Sequence, residues 1–162
     1  MKKFALITGG TKGIGKAVAT CLADSGFNLI LTYASDDKNA TAVASELSQS
    51  HSVEAYALKA DISQSESIQA IYDFLMEKSL HLDALVLNAG LTCRDSFENL
   101  KLEDWERVFF ANVHFPVFLI QKIVTLINPG GCIVFTGSLM AVHPHSVSLA
   151  YGVTKSAVHA LV

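Results

Sequence analysis

The sequence predicts an α/β protein built on a doubly wound parallel sheet with helices on both faces, a three-layer α/β/α arrangement. Short apolar or β-branched runs alternate with longer helical patterns along the chain, and that alternation is typical of βα units. The strand-like runs are almost continuously apolar, as expected for parallel strands buried on both faces. The chain has 162 residues, 51% of them apolar and 17% charged, so a single domain around one core is expected.

Five strands are predicted, at residues 4–8, 28–33, 53–59, 83–87 and 132–136. Helices are predicted between them, at residues 13–25, 38–50, 65–79 and 102–127, the last of these as one helix or two. In the first helix, apolar residues recur at i, i+3, i+4, i+7 and i+8, and Gly26 follows as a stop signal. Asn128-Pro129-Gly130-Gly131 is predicted to end the long helical region. A final helix begins near Leu149 and is still in progress at Val162.

Composition excludes several classes of protein. The net charge is −3 and no cationic run is present, so no nucleic-acid partner is expected. The longest apolar region, residues 108–120, is interrupted by Asn112, His114 and Pro116, so no membrane span is expected. The basic start reaches glycine too soon for a signal peptide, and three scattered cysteines form no disulfide or zinc framework. These observations together predict a cytoplasmic globular protein.

The first strand runs directly into Thr8-Gly9-Gly10-Thr11-Lys12-Gly13-Ile14-Gly15 and the first helix. A parallel sheet binds ligands at the carboxyl ends of its strands, and a helix N-terminus there attracts phosphate. Glycines let the backbone turn sharply and approach a pyrophosphate without a Cβ in the way. A tight strand–helix turn that simply needs glycine is the alternative, but the position favours a dinucleotide site on a Rossmann-type sheet.

This turn and four later motifs resemble the classical short-chain dehydrogenase/reductase family. The glycine-rich turn matches the family signature Thr-Gly-x-x-x-Gly-x-Gly, and Asp61-Ile62 matches its acid–aliphatic pair. Asn88-Ala89-Gly90 matches its Asn-Ala-Gly motif, and Asn112 matches its helical asparagine. Ser138, Tyr151 and Lys155 match its catalytic serine and the Tyr-x-x-x-Lys motif that follows. The motifs occur in the family's order and spacing, and the resemblance covers the whole chain. It is strongest to the 3-oxoacyl-[acyl-carrier-protein] reductase branch, which implies a place in fatty acid biosynthesis.

The spacing of Tyr151 and Lys155 has a chemical reason. Residues four apart share one face of a helix. A phenol is a poor acid–base catalyst near neutral pH, and a nearby ammonium favours its ionised form. Ser138 follows the fifth strand on the binding edge of the sheet, where its hydroxyl can donate to a substrate carbonyl alongside Tyr151. We therefore expect hydride addition to carbon while Tyr151 gives a proton to oxygen. The alternative is that Tyr151 and Lys155 are an ordinary pair on an amphipathic helix, without a catalytic role.

The resemblance assigns further roles to two asparagines and to the Asp61-Ile62 pair. Asn112 is implied in a water-mediated proton relay toward Lys155; its alternative role is a buried amide or a local bend before Pro116. Asn88 either contacts the cofactor or ties neighbouring strands together. The Asp61-Ile62 pair is implied to contact adenine.

The end of the second strand bears on the choice of dinucleotide. An NAD site places an acid there, but Tyr33 occupies that position. Asp36 and Asp37 come later and suit the start of the next helix. Lys12 matches the basic position of NADP-using members of the family, so a 2′-phosphate is expected between Lys12 and Ser35. NADP(H) is therefore predicted over NAD(H). The alternative is that Lys12 is a solvated surface lysine with no role in binding.

No metal is predicted, because His143-Pro144-His145 lacks a third ligand. Leu139, Met140, Cys93 and Arg94 are expected near the substrate, with Cys93 a small apolar filler. The expected partner is a small carbonyl compound, a 3-oxoacyl group on acyl carrier protein being the one that the resemblance implies.

The apolar stretch at residues 113–127 is predicted to pack in a homodimer or homotetramer. Two alternatives to a reductase remain: a non-catalytic dinucleotide-binding remnant, and a flavodoxin-like or receiver-like domain. The latter needs acids at the strand ends, and the first strand ends without one. Family members are longer, so we expect residues 1–162 to form a single dinucleotide-binding domain and further strands and a substrate-closing loop to follow Val162.

Overall fold

A five-stranded parallel sheet organises the computed structural model, which describes residues 2–94, 96–143 and 148–162. The strands are β1 (Phe4–Ile7), β2 (Asn28–Tyr33), β3 (Ala55–Lys59), β4 (Leu82–Leu87) and β5 (Ile127–Phe135). Their order is β3-β2-β1-β4-β5, and every pairing is parallel. The predicted doubly wound sheet is confirmed. The order is the Rossmann one; a flavodoxin-like or receiver-like sheet runs 2-1-3-4-5.

Helices cover both faces of the sheet, as predicted. Alternate residues of β1 point to opposite sides: Ala5 and Ile7 pack with α1 (Gly13–Asp24) and α2 (Asp37–His51), whereas Phe4 and Leu6 pack with α3 (Glu66–Glu77) and α5 (Phe115–Ile123). The remaining helices are α4 (Leu102–Phe109) and α6 (Leu149–Leu161), which pack on each other through Val108 and Ala150.

The long helical region is continuous but irregular. A π-helical turn, Phe110–His114, joins α4 to α5, and a 3₁₀ turn, Val124–Leu126, ends the region. By length and composition alone this helix could cross a membrane, and no other helix among the described residues could. It is a core helix, because Phe115, Leu119 and Ile123 are buried against the sheet.

The fifth strand begins earlier than predicted. Asn128 and the glycines after it were expected to end the helix, but β5 already starts at Ile127. An advance of two residues along β4, from Leu82 to Ala84, is matched by an advance of five residues along β5, from Ile127 to Cys132. Asn128 stabilises this bulge by donating from Nδ2 to Asp83 Oδ1 at 3.0 Å. The turn-forming residues therefore bulge a strand rather than end a helix.

Candidate active site

The glycine-rich turn is closely packed beneath the start of α1. The Gly9 N–H donates to Thr32 Oγ1 at 3.2 Å, which ties the turn to β2. Gly9 has φ +64°, a conformation that side chains disfavour. A Cβ on Gly15 would lie 2.7 Å from Asn88 Nδ2 and 2.9 Å from the Gly9 carbonyl carbon. The turn thus needs glycine at both positions, and it presents the N-terminus of α1 at the carboxyl edge of the sheet.

The turn after β4 is held against the turn after β1 by Asn88 and Thr8. The Thr8 hydroxyl accepts from the Asn88 N–H at 2.9 Å and from the Ala89 N–H at 3.0 Å. Asn88 Nδ2 donates to the Thr8 carbonyl at 3.1 Å, and Asn88 Oδ1 accepts from Thr136 Oγ1 at 3.3 Å. Asn88 therefore links the ends of β1, β4 and β5, which favours the strand-tying role over direct contact with a dinucleotide.

At the end of β2, both nearby acids already have partners. Asp36 caps α2 by accepting from the Asn39 N–H at 3.0 Å. Asp37 pairs with Lys59 at 3.1 Å, and this hydrogen-bonded pair lowers the pKa of Asp37. Burial, and next the negative charge of Asp37, raise the pKa of the Tyr33 phenol. The phenol is therefore neutral at physiological pH.

The other residues predicted for the adenosine end differ in exposure. Lys12 and Ser35 are exposed, whereas Thr11 is buried and its carbonyl accepts from Asn39 Nδ2 at 3.1 Å. Asp61 Oδ1 accepts from both the N–H and the hydroxyl of Ser63 at 2.8 Å. Ile62 is only 8% exposed, so we expect any contact it makes with adenine to come from its backbone.

Asn112 lies in the π-helical turn and is 4% exposed. Its Oδ1 accepts from the Leu91 N–H at 2.8 Å, and its Nδ2 donates to the Leu91 carbonyl at 2.8 Å and to Thr154 Oγ1 at 3.0 Å. A Cβ on Gly90 would lie 3.3 Å from Asn112 Oδ1 and 3.8 Å from Lys155 Nζ. The structure thus brings Asn112, Gly90 and Lys155 together, with the amide of Asn112 committed to Leu91 and Thr154.

Ser138 follows β5 and begins a 3₁₀ turn, Leu139–Ala141. Its hydroxyl oxygen accepts from the Met140 N–H at 3.2 Å. Because this bond uses a lone pair, the hydroxyl proton is free to point elsewhere. The turn is fixed to α6 by the Ser156 hydroxyl, which donates to the Ala141 carbonyl at 2.8 Å.

The Tyr151 and Lys155 side chains lie one turn apart on α6, as predicted. Lys155 is 4% exposed, and its ammonium donates to the Thr136 carbonyl at 2.6 Å. Its Nζ lies 5.6 Å from the centre of the Tyr151 ring. Burial lowers the pKa of Lys155.

A cavity of about 10 Å³ lies beside Lys155, between the sheet and the long helix, which is space for about one water molecule. Its walls include Asn112, Thr136 and Lys155, with apolar residues around them. The polar side chains among its walls give a water in this cavity partners to bond.

The remaining sequence candidates differ in exposure. Leu139 and Arg94 are exposed, and Met140 is half-buried. Cys93 is buried against Val108 and Ala150, which confirms it as an apolar filler. Pro144 and His145 lie outside the described residues, and the part of the chain that is described holds no group of three metal-ligating side chains.

Four threonines that make the contacts described above are absent from the predicted set: Thr8, Thr32, Thr136 and Thr154. Three of them are identifiable from the sequence, because each is the polar residue that ends or follows an apolar strand beside a motif. Thr154 carries no such signal, since its partner Asn112 is 42 residues away in the chain.

Comparisons with known proteins identify the family that this chain resembles. A family model described as short chain dehydrogenase matches residues 3–162. A hydroxynaphthalene reductase-like protein of Metarhizium brunneum is 35% identical over 139 residues, 86% of this chain and 52% of that protein. A 3-oxoacyl-[acyl-carrier-protein] reductase of Staphylococcus aureus is 29% identical over 160 residues, 98% of this chain and 65% of that protein. The chain thus spans between half and two thirds of the length of these curated relatives.

A solved structure is similarly close. The crystal structure of a short chain dehydrogenase from Burkholderia cenocepacia in complex with NADP has a TM-score of 0.91 to this chain and 31% sequence identity. The match covers 98% of this chain and 65% of that one.

Proposed function

This chain belongs to the short-chain dehydrogenase family, and from that premise we propose that it acts in an NADPH-dependent reduction of a carbonyl to an alcohol. The observation that carries the proposal is the pairing on α6, where the buried Lys155 ammonium lies 5.6 Å from the centre of the Tyr151 ring. An amphipathic surface pair would leave the lysine in solvent. Here the lysine is buried beside the tyrosine, at the carboxyl edge of the sheet where α/β folds bind ligands.

Ser138 and Tyr151 are the groups that act on the carbonyl oxygen. Ser138 uses a lone pair to accept from the Met140 N–H, so its own proton can be donated to the substrate oxygen. Tyr151 then gives its proton to that oxygen as negative charge develops on it. Lys155 stabilises the negative charge left on Tyr151 through its ammonium.

Proton resupply to Tyr151 follows from the cavity beside Lys155. Its walls include Asn112, Lys155 and the end of β5. A water there would bond Lys155 and pass a proton toward it. In this proposal Asn112 positions the relay, since its amide is bonded to Leu91 and Thr154.

The glycine-rich turn and its surroundings fit a dinucleotide. A Cβ on Gly15 would clash with Gly9 and Asn88, so glycine there allows the close packing that presents the α1 N-terminus at the carboxyl edge of the sheet. When bound, NADPH supplies the hydride. The residues proposed to form its site are Gly9, Thr11, Lys12, Gly13, Ile14, Gly15, Ser35, Asp61, Ile62, Asn88, Ala89, Gly90, Tyr151 and Lys155. Asn88 contributes by tying together the ends of β1, β4 and β5. Together they make residues 1–162 a single dinucleotide-binding domain.

A preference for NADPH over NADH rests on the end of β2. Tyr33 replaces the acid that would accept from a ribose 2′-OH, and it is neutral. Asp36 accepts from the Asn39 N–H and Asp37 pairs with Lys59, so both acids serve the start of α2 and the end of β3. The exposed Lys12 and Ser35 are left to hold a 2′-phosphate. The similar protein from Burkholderia cenocepacia is in complex with NADP, which supports the same choice.

For the substrate we propose a 3-oxoacyl thioester carried on acyl carrier protein. The reductase of Staphylococcus aureus bears that activity in its name, and the motifs of this chain resemble that branch. The Metarhizium brunneum relative is named for hydroxynaphthalene reduction, which makes a bicyclic aromatic ketone the comparison compound. We place the protein in the cytoplasm.

We also propose a two-fold homodimer, or a homotetramer built from it. Phe118 on α5 is 50% exposed, Val124 in the following turn 52%, and Val153 on α6 39%. Large apolar side chains at this exposure favour an isologous contact between copies.

Oxidation of NADPH by the purified protein tests the proposed function. The panel contains 3-oxoacyl thioesters, a bicyclic aromatic ketone, simple ketones and sugars, each with NADPH and with NADH. Turnover of a 3-oxoacyl thioester with NADPH is expected. Dinucleotide binding without turnover of any carbonyl would contradict a reductase and support the non-catalytic alternative.

A further inference from the structure

Thr154 joins three parts of the candidate site. It lies on α6 between Tyr151 and Lys155 and is 0% exposed. Its hydroxyl donates to the Tyr151 carbonyl at 2.8 Å and accepts from Asn112 Nδ2 at 3.0 Å. Asn112 in turn makes two bonds to Leu91, the residue directly after Gly90. One buried hydroxyl therefore connects the tyrosine's helix to the π-helical turn and to the turn after β4.

Thr154 and the backbone of Leu91 together fix the orientation of the Asn112 amide. A threonine hydroxyl has one proton, and that of Thr154 is used on the Tyr151 carbonyl. It therefore offers only lone pairs to Asn112, so the amide must turn Nδ2 toward Thr154. That orientation directs Oδ1 at the Leu91 N–H, next to the space that Gly90 leaves between Asn112 and Lys155.

We propose that Thr154 is a positioning residue that sets Tyr151 and Lys155 against the turn after β4 through Asn112. The proposal rests on the proposed function, because that turn is part of the expected dinucleotide site and Tyr151 is the expected proton donor. The contacts among Thr154, Asn112 and Leu91, here called the junction, fix the distance between Tyr151 and the turn after β4. Misplacement of a reacting group by about 1 Å lowers the rate up to about 10²-fold, although nothing that binds the dinucleotide is removed.

Thr154→Val tests the hydroxyl at nearly constant shape, and Thr154→Ser restores it. With Val we expect kcat to fall about 10-fold, while the NADPH Kd and the KM of the carbonyl change less than about twofold. With Ser we expect kcat within about threefold of the wild type, because the hydroxyl is present. The matched control is Thr20→Val, which removes a similar bond, from Thr20 Oγ1 to the Lys16 carbonyl at 3.0 Å, in the middle of α1. It should leave kcat unchanged.

Hydrogen exchange at the Leu91 N–H tests the junction without turnover. This N–H is bonded to Asn112 Oδ1 at 2.8 Å, so loosening Asn112 should speed its exchange at least about fivefold in Thr154→Val. Thr154→Ser and Thr20→Val should keep the wild-type rate. If Thr154→Val does not fold, Thr154→Ala takes its place in both measurements.

The proposal is overturned if the Val variant keeps more than half of the wild-type kcat, or if the Ser variant loses as much as the Val variant. It is equally overturned if NADPH affinity falls in parallel with kcat, since that indicates a general loss of structure. Absence of turnover in the wild type would contradict the proposed function, and the exchange rate of Leu91 would then decide the role of Thr154 alone. An unchanged exchange rate of the Leu91 N–H in Thr154→Val would contradict the positioning role of Thr154.

Discussion

Replacing Gly15 by alanine should weaken dinucleotide binding through a steric conflict inside the glycine-rich turn. The new Cβ would lie 2.9 Å from the Gly9 carbonyl carbon and 2.7 Å from Asn88 Nδ2. Ordinary carbon–carbon contacts begin at about 3.5 Å, so the backbone of the turn must move by at least about 0.6 Å. Neither neighbour yields easily, because Gly9 is held by Thr32 and Asn88 by Thr8.

Two effects of opposite sign set the cost in stability. Overpacking costs about 1–3 kcal/mol, and the upper end applies here because backbone atoms must shift. Gly15 lies in the first turn of α1, where alanine gains at most about 1 kcal/mol of helix propensity. We therefore expect the free energy of unfolding to fall by about 2 kcal/mol.

Gly26→Ala provides a control of similar stability cost. Gly26 has φ +78° and open space around its Cβ position, so alanine there costs about 1–2 kcal/mol through backbone conformation alone. It follows α1, at the end away from the glycine-rich turn. Urea unfolding followed by the fluorescence of Trp105, the sole tryptophan, measures stability, and calorimetric titration measures the NADPH Kd.

Gly15→Ala and Gly26→Ala should differ in their affinity for NADPH. We expect Gly15→Ala to raise the NADPH Kd more than about 10-fold, which corresponds to about 1.4 kcal/mol, and Gly26→Ala to leave it unchanged. A Gly15→Ala protein that binds NADPH within about threefold of the wild type would refute the assignment of this turn as the dinucleotide cradle.

Three further predictions concern cofactor choice, pH and assembly. Lys12→Ala should weaken NADPH binding by roughly 10- to 150-fold, because a charged hydrogen bond contributes that much affinity. Calorimetry should show NADH binding unchanged, and an equal loss of affinity for NADPH and NADH would show that Lys12 does not contact the 2′-phosphate. Burial lowers the pKa of Lys155 in the folded state below its ordinary value of 10.5. At a pH between the folded-state pKa and 10.5, the unfolded state therefore binds more protons than the folded state, and the free energy of unfolding of the wild type rises with pH. In urea titrations the stability of Lys155→Met relative to the wild type should therefore fall as the pH is raised from 7 toward 10.5; a constant difference would contradict the lowered pKa. Sedimentation should show a dimer at micromolar concentration and a monomer for Phe118→Asp, whereas a wild-type monomer would count against the dimer.

The strands were predictable because buried parallel strands require continuous apolar runs. β2 was predicted to the residue, and β1 and β4 within one, since a single strong signal governs each. β5 was not, because the same four residues, Asn128 to Gly131, are typical of a helix end and of a bulge. Only the bond from Asn128 to Asp83, across the sheet, decides between them.

The candidate site was predictable where a local motif carries it and not where distant residues meet. The glycine-rich turn and the spacing of Tyr151 and Lys155 are local patterns. The junction at Asn112 is not, because Leu91 and Thr154 lie 21 and 42 residues away from it in the chain. Its geometry depends on the π-helical turn, Phe110–His114. A local bend before Pro116 was one of the alternatives for Asn112, and the irregularity lies there, but no residue pattern indicated a π-helical turn.

Reduction of a carbonyl by Tyr151→Phe at saturating NADPH tests the central claim most directly. The change removes one hydroxyl from a half-buried ring, so the NADPH Kd should remain within about twofold of the wild type. General acid catalysis contributes about 10²–10⁴-fold, and turnover followed by NADPH absorbance should fall by that factor. A variant that binds NADPH normally and keeps more than about a tenth of wild-type turnover would contradict Tyr151 as the proton donor.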